Sequence, residues 1–241
     1  MNEELYLLDS YKNNCIININ SISEDRRSIC IDKTIFYPGG GGQPKDIGYI
    51  EHNGNHYVIE NIELDQNQQY IYRLSTPLPT DIRTVTMHID WEHRYKNMRY
   101  HTLLHLISGY LYLTYGALAT SSQIEKGYAR LEVTFSEDCL PDELNKEKLN
   151  NKIEELITHE SPVNIKYVKR KDLEKNNELI RTYTNLIPEQ INNIRLIEIE
   201  GVDKQACAGT HVSNIKEIGS FQIEQLKSKG RLKKRIKVVI T

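Results

Sequence analysis

Four residues in two pairs, His101 with His105 and Cys207 with His211, constrain this chain more than any other feature. The first pair lies in Arg99-Tyr100-His101-Thr102-Leu103-Leu104-His105-Leu106-Ile107. On a helix, an i, i+4 spacing puts both imidazoles on one face a single turn apart, which makes a two-armed metal clamp. The second pair lies in Gln205-Ala206-Cys207-Ala208-Gly209-Thr210-His211-Val212, where Gly209 favours a tight turn over continuous helix and lets Cys207 and His211 fold toward one point. A thiolate with imidazoles suits zinc, which takes sulfur and nitrogen ligands in a tetrahedron. Each pair alone is weak, since histidines on a helix and a lone cysteine are commonly just buried side chains. Together they predict one Zn2+ per chain. A zinc-peptidase helix needs a carboxylate immediately after the first histidine, and Thr102 stands there instead.

Three stretches together resemble a known family, the stand-alone alanyl-tRNA editing proteins, which are similar to the editing domain of alanyl-tRNA synthetase. They are Thr34-Ile35-Phe36-Tyr37-Pro38-Gly39-Gly40-Gly41-Gly42-Gln43-Pro44-Lys45-Asp46-Ile47-Gly48, then Met98 to Leu106 around the histidine pair, then Cys207-Ala208-Gly209-Thr210-His211-Val212. Ala208 stands where the family usually has glycine, and His93 where it commonly has arginine after Asp-Trp-Glu. The resemblance runs over nearly the whole chain and implies a hydrolase that removes serine, and glycine too, from mischarged tRNA(Ala). A synthetase pocket shaped for alanine rejects an isostere with one extra hydroxyl by only about a hundredfold, so a second site that hydrogen-bonds the serine hydroxyl is needed. Zinc in such a site can polarise the ester carbonyl, orient the substrate or acidify a water. The rival readings are a non-catalytic tRNA-binding module with a structural zinc and, more remotely, a zinc amidase. With nothing like an extended heptad after the basic C-terminal stretch, the medium-length form of the family is expected.

The 241 residues suffice for one large domain or two modest ones. Cys15, Cys30, Cys139 and Cys207 show no paired spacing, the start is acidic, and no apolar stretch is long enough for a bilayer, so a cytoplasmic protein without a membrane or obligate protein partner is expected. A net charge of -2 means that any grip on RNA must come from a local patch. That patch is the C-terminal stretch carrying Lys227, Lys229, Arg231, Lys233, Lys234, Arg235 and Lys237 with no acidic residue from Gln225 onward. It reads as a hairpin with a basic tip, either a solvated edge or a phosphate grip on the tRNA acceptor end, with Lys227, Lys229, Arg231, Lys233, Lys234 and Arg235 as the tRNA-binding candidates.

Hydrophobic patterning predicts an α+β protein: a small β-barrel over 1–90 with the glycine-rich motif, then a zinc-bearing mixed α/β domain over 91–241. Asn53-Gly54 between two alternating runs predicts a type I′ hairpin. A helix is expected from His93 to about Tyr115, a polar turn at Thr120-Ser121-Ser122-Gln123, a strand over Ala129 to Phe135 and a helix from about Glu143 to His159. Beyond it come a strand at Val163 to Val168, a short acidic helix through Glu178 and strands at Ile194 to Glu200 and Phe221 to Gln225. The run Gly39 to Gly42 lacks the Gly-Lys-Ser/Thr ending and following helix of a phosphate cradle. The resemblance places this loop beside the aminoacyl pocket and makes Thr34, Gly41, Gly42, Gln43, Ser121, Ser122 and Gln123 the substrate-binding candidates. Thr210 is a candidate for placing a catalytic water beside the metal.

Overall fold

The structure is a computed structural model that describes residues 3–66, 69–139, 144–173, 179–184 and 187–241. It is an α+β protein that divides into two compact units, one of Met1–Gly40 with Pro44–Lys96 and the other of Gly41–Gln43 with Asn97–Thr241. Sequence pattern places the division at residue 90; in the fold, the first six residues of the long helix belong to the first unit and three loop residues belong to the second.

The first unit begins with β1 (Glu3–Glu4), followed by β2 (Asn14–Ile22), β3 (Ser28–Ile31), β4 (Lys33–Thr34), β5 (Gly48–His52), β6 (Asn55–Leu64), β7 (Tyr70–Leu74) and β8 (Thr84–Ile89). Six of these close a barrel in the order β2-β3-β7-β6-β5-β8, while β1 pairs in parallel with β4. Side chains alternate across each strand, so every second residue enters the barrel. Ile17, Ile29, Ile50, Tyr72, Leu74 and Met87 are among those that fill it. The β5–β6 turn has positive φ at Asn53 (50°) and Gly54 (77°), as a type I′ hairpin requires.

A buried ion pair lies in the same unit. The Arg94 guanidinium meets the Asp46 carboxylate, with Nε at 2.9 Å from Oδ1, and its remaining donors reach the Ser10 carbonyl at 2.8 Å and the Ile35 carbonyl at 2.6 Å. The Tyr37 amide donates to Asp46 Oδ2 at 2.6 Å.

The long helix α1 (Trp91–Tyr115) starts where Asp90 accepts the His93 amide at 2.9 Å, an N-cap. It ends where Gly116, at φ 62°, donates to the Tyr112 carbonyl in the pattern of an αL cap, and Ala117 reaches back to the Leu111 carbonyl. Residues 101–109 are all buried, so this is a central helix rather than an amphipathic one lying on a surface.

In the second unit, β9 (Leu118–Glu125), β10 (Tyr128–Thr134), β14 (Phe221–Ser228) and β15 (Lys233–Ile240) form an antiparallel sheet ordered β14-β15-β10-β9. The expected polar turn at 120–123 is strand instead. Ser121, Ser122 and Gln123 pair with Glu132, Leu131 and Arg130 of β10, and the reversal comes later, at Gly127 (φ 91°). Cross-strand partners outweigh the turn preference of serine.

Helix α2 (Lys146–Thr158) begins after Asn145, whose side chain accepts the Lys148 amide, and buries Leu149 and Ile153. The expected start at Glu143 lies outside the described residues. A second sheet, ordered β11-β12-β13, comprises β11 (Val163–Lys169), β12 (Asn193–Ile199) and β13 (Asp203–Ala206). Between β11 and β12, α3 covers Arg170–Leu173; the rest of the expected acidic helix, to Glu178, also lies outside the described residues. Among the described residues, no helix is long and apolar enough to cross a membrane.

Candidate metal centre

His101 and His105 come from α1, and Cys207 and His211 from the turn after β13. Their ligand atoms all lie within 4.8 Å of one another. Cys207 Sγ is 3.3 Å from His211 Nε2 and 3.6 Å from His101 Nε2. With zinc–ligand bonds of about 2.0–2.3 Å, the donors of a tetrahedral site lie roughly 3.3–3.6 Å apart. The three imidazoles are buried, and Cys207 is the ligand that retains some surface.

The hydrogen bonds on the far side of each ring decide which nitrogen is available. The Thr210 amide can only donate, and it meets Gln43 Oε1 at 3.0 Å, which fixes that atom as the carbonyl oxygen. The same oxygen is 2.8 Å from His101 Nδ1, so Nδ1 carries the proton and Nε2 keeps its lone pair. Asp203 Oδ2 accepts His105 Nδ1 at 2.8 Å. Thr102 Oγ1 lies 3.1 Å from His211 Nδ1, with a lone pair to spare beyond the one taken by the Val212 amide. All three rings are thus held by Nδ1 and face the cluster with Nε2.

Electrostatics agree with a cationic occupant. Burial disfavours the Cys207 thiolate, but His101, His211 and His105 around it hold its pKa well below the ordinary range. Burial likewise disfavours a charged His105, yet Cys207 and Asp203 raise it to about 10. Burial and the neighbouring His101 keep His211 well below its usual value. Soft thiolate with imidazoles, once His105 gives up its extra proton to the incoming ion, is a donor set for zinc, and the residues present fit that ion.

Glycine makes the close approaches possible. A Cβ on Gly209 would lie 2.2 Å from His101 Cε1 and 2.9 Å from Gln43 Oε1. One on Gly42 would lie 2.2 Å from the Ser122 carbonyl oxygen, and Gly42 accepts the Ile124 amide at 2.7 Å. Gly39, Gly40, Gly41 and Gly42 all have positive φ, a sequence of conformations that side chains with a Cβ resist. The run therefore lays Gly41 and Gly42 against β9 and delivers Gln43 to the ligands.

The other expected residues distribute unevenly. Thr210 is buried, and its hydroxyl accepts Gln43 Nε2 at 2.8 Å. Ser122 Oγ donates to Gly41 O at 3.3 Å, Ser121 bonds Glu132, and Gln123 accepts from Arg130. Thr34 belongs to the first unit, fully buried, with Oγ1 accepting the Tyr72 hydroxyl at 2.7 Å and the Phe36 amide at 3.0 Å. The basic hairpin forms as β14 and β15, but several of its charges already have partners. Arg235 meets Glu132, Lys237 meets Glu224 at 2.7 Å and Arg231 meets Glu137 at 3.3 Å.

Sequence reasoning missed Asp203, Arg195 and the use of Thr102. Arg195 Nη1 donates to the Cys207 and Gly209 carbonyls at 2.8 and 2.9 Å and so braces the ligand turn from β12. Asp203 follows Gly201-Val202 and reads locally as a turn residue; its burial against His105 shows only in the fold.

Residues 194–237 match the family described as "Threonyl and Alanyl tRNA synthetase second additional domain". Over 98% of both chains, the sequence is 31% identical to an alanyl-tRNA editing protein AlaX-M from Methanosarcina barkeri. It is 32% identical, again over 98% of both, to its namesake from Methanosarcina acetivorans. An alanine–tRNA ligase from Thermoplasma acidophilum is 30% identical over 83% of this chain and 22% of its own length. Likeness of this degree over 98% of both chains, with the histidine and cysteine cluster assembled in the fold, means that the chain belongs to the alanyl-tRNA editing proteins of the AlaX-M group.

Proposed function

We propose that this protein is a zinc-dependent deacylase that hydrolyses the aminoacyl ester of mischarged tRNA(Ala), with seryl and glycyl esters as substrates. The reading is carried by one observation: three imidazoles tied down through Nδ1, with their Nε2 atoms and a thiolate converging on one point. Bound there, zinc supplies a Lewis acid for the ester carbonyl or for a water. The chain's own residues do the rest. Gln43 holds His101 and the Thr210 amide and hydroxyl together, which leaves the Thr210 hydroxyl proton to orient a polar group beside the ligands. Gly41, where a Cβ would meet nothing within 4 Å, leaves open space beside the loop in which an aminoacyl group can lie, while Gly42 packs on the Ser122 carbonyl. The Thr34 hydroxyl accepts from the Phe36 amide and the Tyr72 hydroxyl and donates to Met87 Sδ at 3.8 Å, so engaging a seryl hydroxyl would mean giving up one of these contacts.

The reading predicts that the zinc-loaded protein releases serine and glycine from tRNA(Ala) while leaving alanyl-tRNA(Ala) largely intact, in a deacylation assay with all three esters. A second reading draws on the donor count. Four protein ligands complete a tetrahedron, as in structural zinc sites. Zinc-loaded protein that binds tRNA(Ala) and leaves all three esters intact would establish that alternative.

A further inference from the structure

We infer that Asp203 is a positioning residue that fixes the tautomer and orientation of His105, an inference that rests on the metal reading above. Its carboxylate is fully buried and takes three donors. Oδ2 accepts His105 Nδ1 and Gln205 Nε2, each at 2.8 Å, and Oδ1 accepts Arg181 Nη1 at 2.7 Å. The backbone is built to bring it there. A Cβ on Gly109, one turn beyond His105 on α1, would lie 2.7 Å from Asp203 Cβ and 2.7 Å from the Val202 carbonyl. No larger residue at 109 lets β13 come this close. The partners of the three rings are unequal: Gln43 and Thr102 are neutral, whereas Asp203 is the one carboxylate among them. His105 is therefore the ligand whose Nδ1 proton is held most firmly and whose Nε2 is the most basic donor.

Asp203→Asn keeps the shape and removes the logic. Its amide must turn an N–H2 either toward His105, where the ring can keep Nε2 bare only by losing its acceptor, or toward Arg181, where donor meets donor. Zinc affinity, measured by competition with a chelator, should fall by about 10–100-fold, while Gln205→Leu, which spares the His105–Asp203 bond, should change it little. A second readout needs no metal. In protein labelled with 15N-histidine, the Nδ1 proton of His105 should resonate far downfield and exchange slowly in the wild type, and disappear in Asp203→Asn. Wild-type zinc affinity in Asp203→Asn overturns the inference. So does a wild-type protein whose His105 Nδ1 proton exchanges freely, a test that stands even where the variant does not fold. Wild-type protein that takes up no zinc would instead refute the metal reading, with the proton signal still deciding the role of Asp203.

Discussion

Two buried polar clusters share helix α1, and they are wired in opposite ways. In the first unit, the donors of Arg94 go to Asp46 and to two carbonyls, so the protein itself closes the valence of the pair. In the second, His101, His105 and His211 each spend one nitrogen on the protein and turn the other toward Cys207. The first arrangement can only hold a fold together. The second leaves its unspent donors converging on one point, where a cation could be held. Burial and charge alone would not separate them; the direction in which the unspent lone pairs point does.

The largest effects should come from removing a ligand. His101→Ala and Cys207→Ala are each expected to lose the single zinc, by metal analysis of purified protein, and to drop ester hydrolysis to the uncatalysed rate. Full zinc retention in both would break the contrast altogether.

Next in size is the closed cluster. Arg94→Met leaves Asp46 buried without its partner and should cost about 3–5 kcal/mol of unfolding free energy, equally with and without chelator. Adding Asp46→Leu should recover most of that stability. A destabilisation that depends on zinc would mean that the two clusters are not independent.

A smaller effect sharpens the open cluster. Gly209→Ala forces a methyl group against His101 and Gln43, and loosening that support should weaken zinc binding by about 10–100-fold without abolishing it. Unchanged affinity would show that the ring does not need its Gln43 bond.

The smallest expected change lies at the hairpin. Arg235 is spent on Glu132, whose pKa it lowers, so Lys227 and Lys233 are the better candidates for binding phosphate. Replacing both with alanine should weaken tRNA binding and flatten the dependence of log K on log salt by roughly 0.7–0.9 for each phosphate that is no longer neutralised. Hydrolysis of a short aminoacyl fragment should be unaffected, and an unaltered slope would return the hairpin to a solvated edge.

Local patterns were legible where the chemistry is local. Spacing of four on a helix fixes the face of His101 and His105, Asn53-Gly54 fixes its own turn, and alternation fixes which strand residues enter the barrel. The strand at Ser121 to Gln123 was not legible, because its conformation depends on β10 and not on its own residues.

The sequence by itself thus determined the two His/Cys pairs, the strand pattern of the barrel and the motifs of the family resemblance, since each pair, strand and motif is written in residues a few positions apart. Only the tertiary structure decided which nitrogen of each imidazole is free, that Gln43 serves His101 and Thr210, and that Asp203 stands behind His105. Those bonds join residues 58, 167 and 98 positions apart. A hydrogen bond of that separation leaves no local periodicity or propensity to read; it exists only because packing of the helix, the glycine-rich run and β13 brings a donor within about 3 Å of an acceptor.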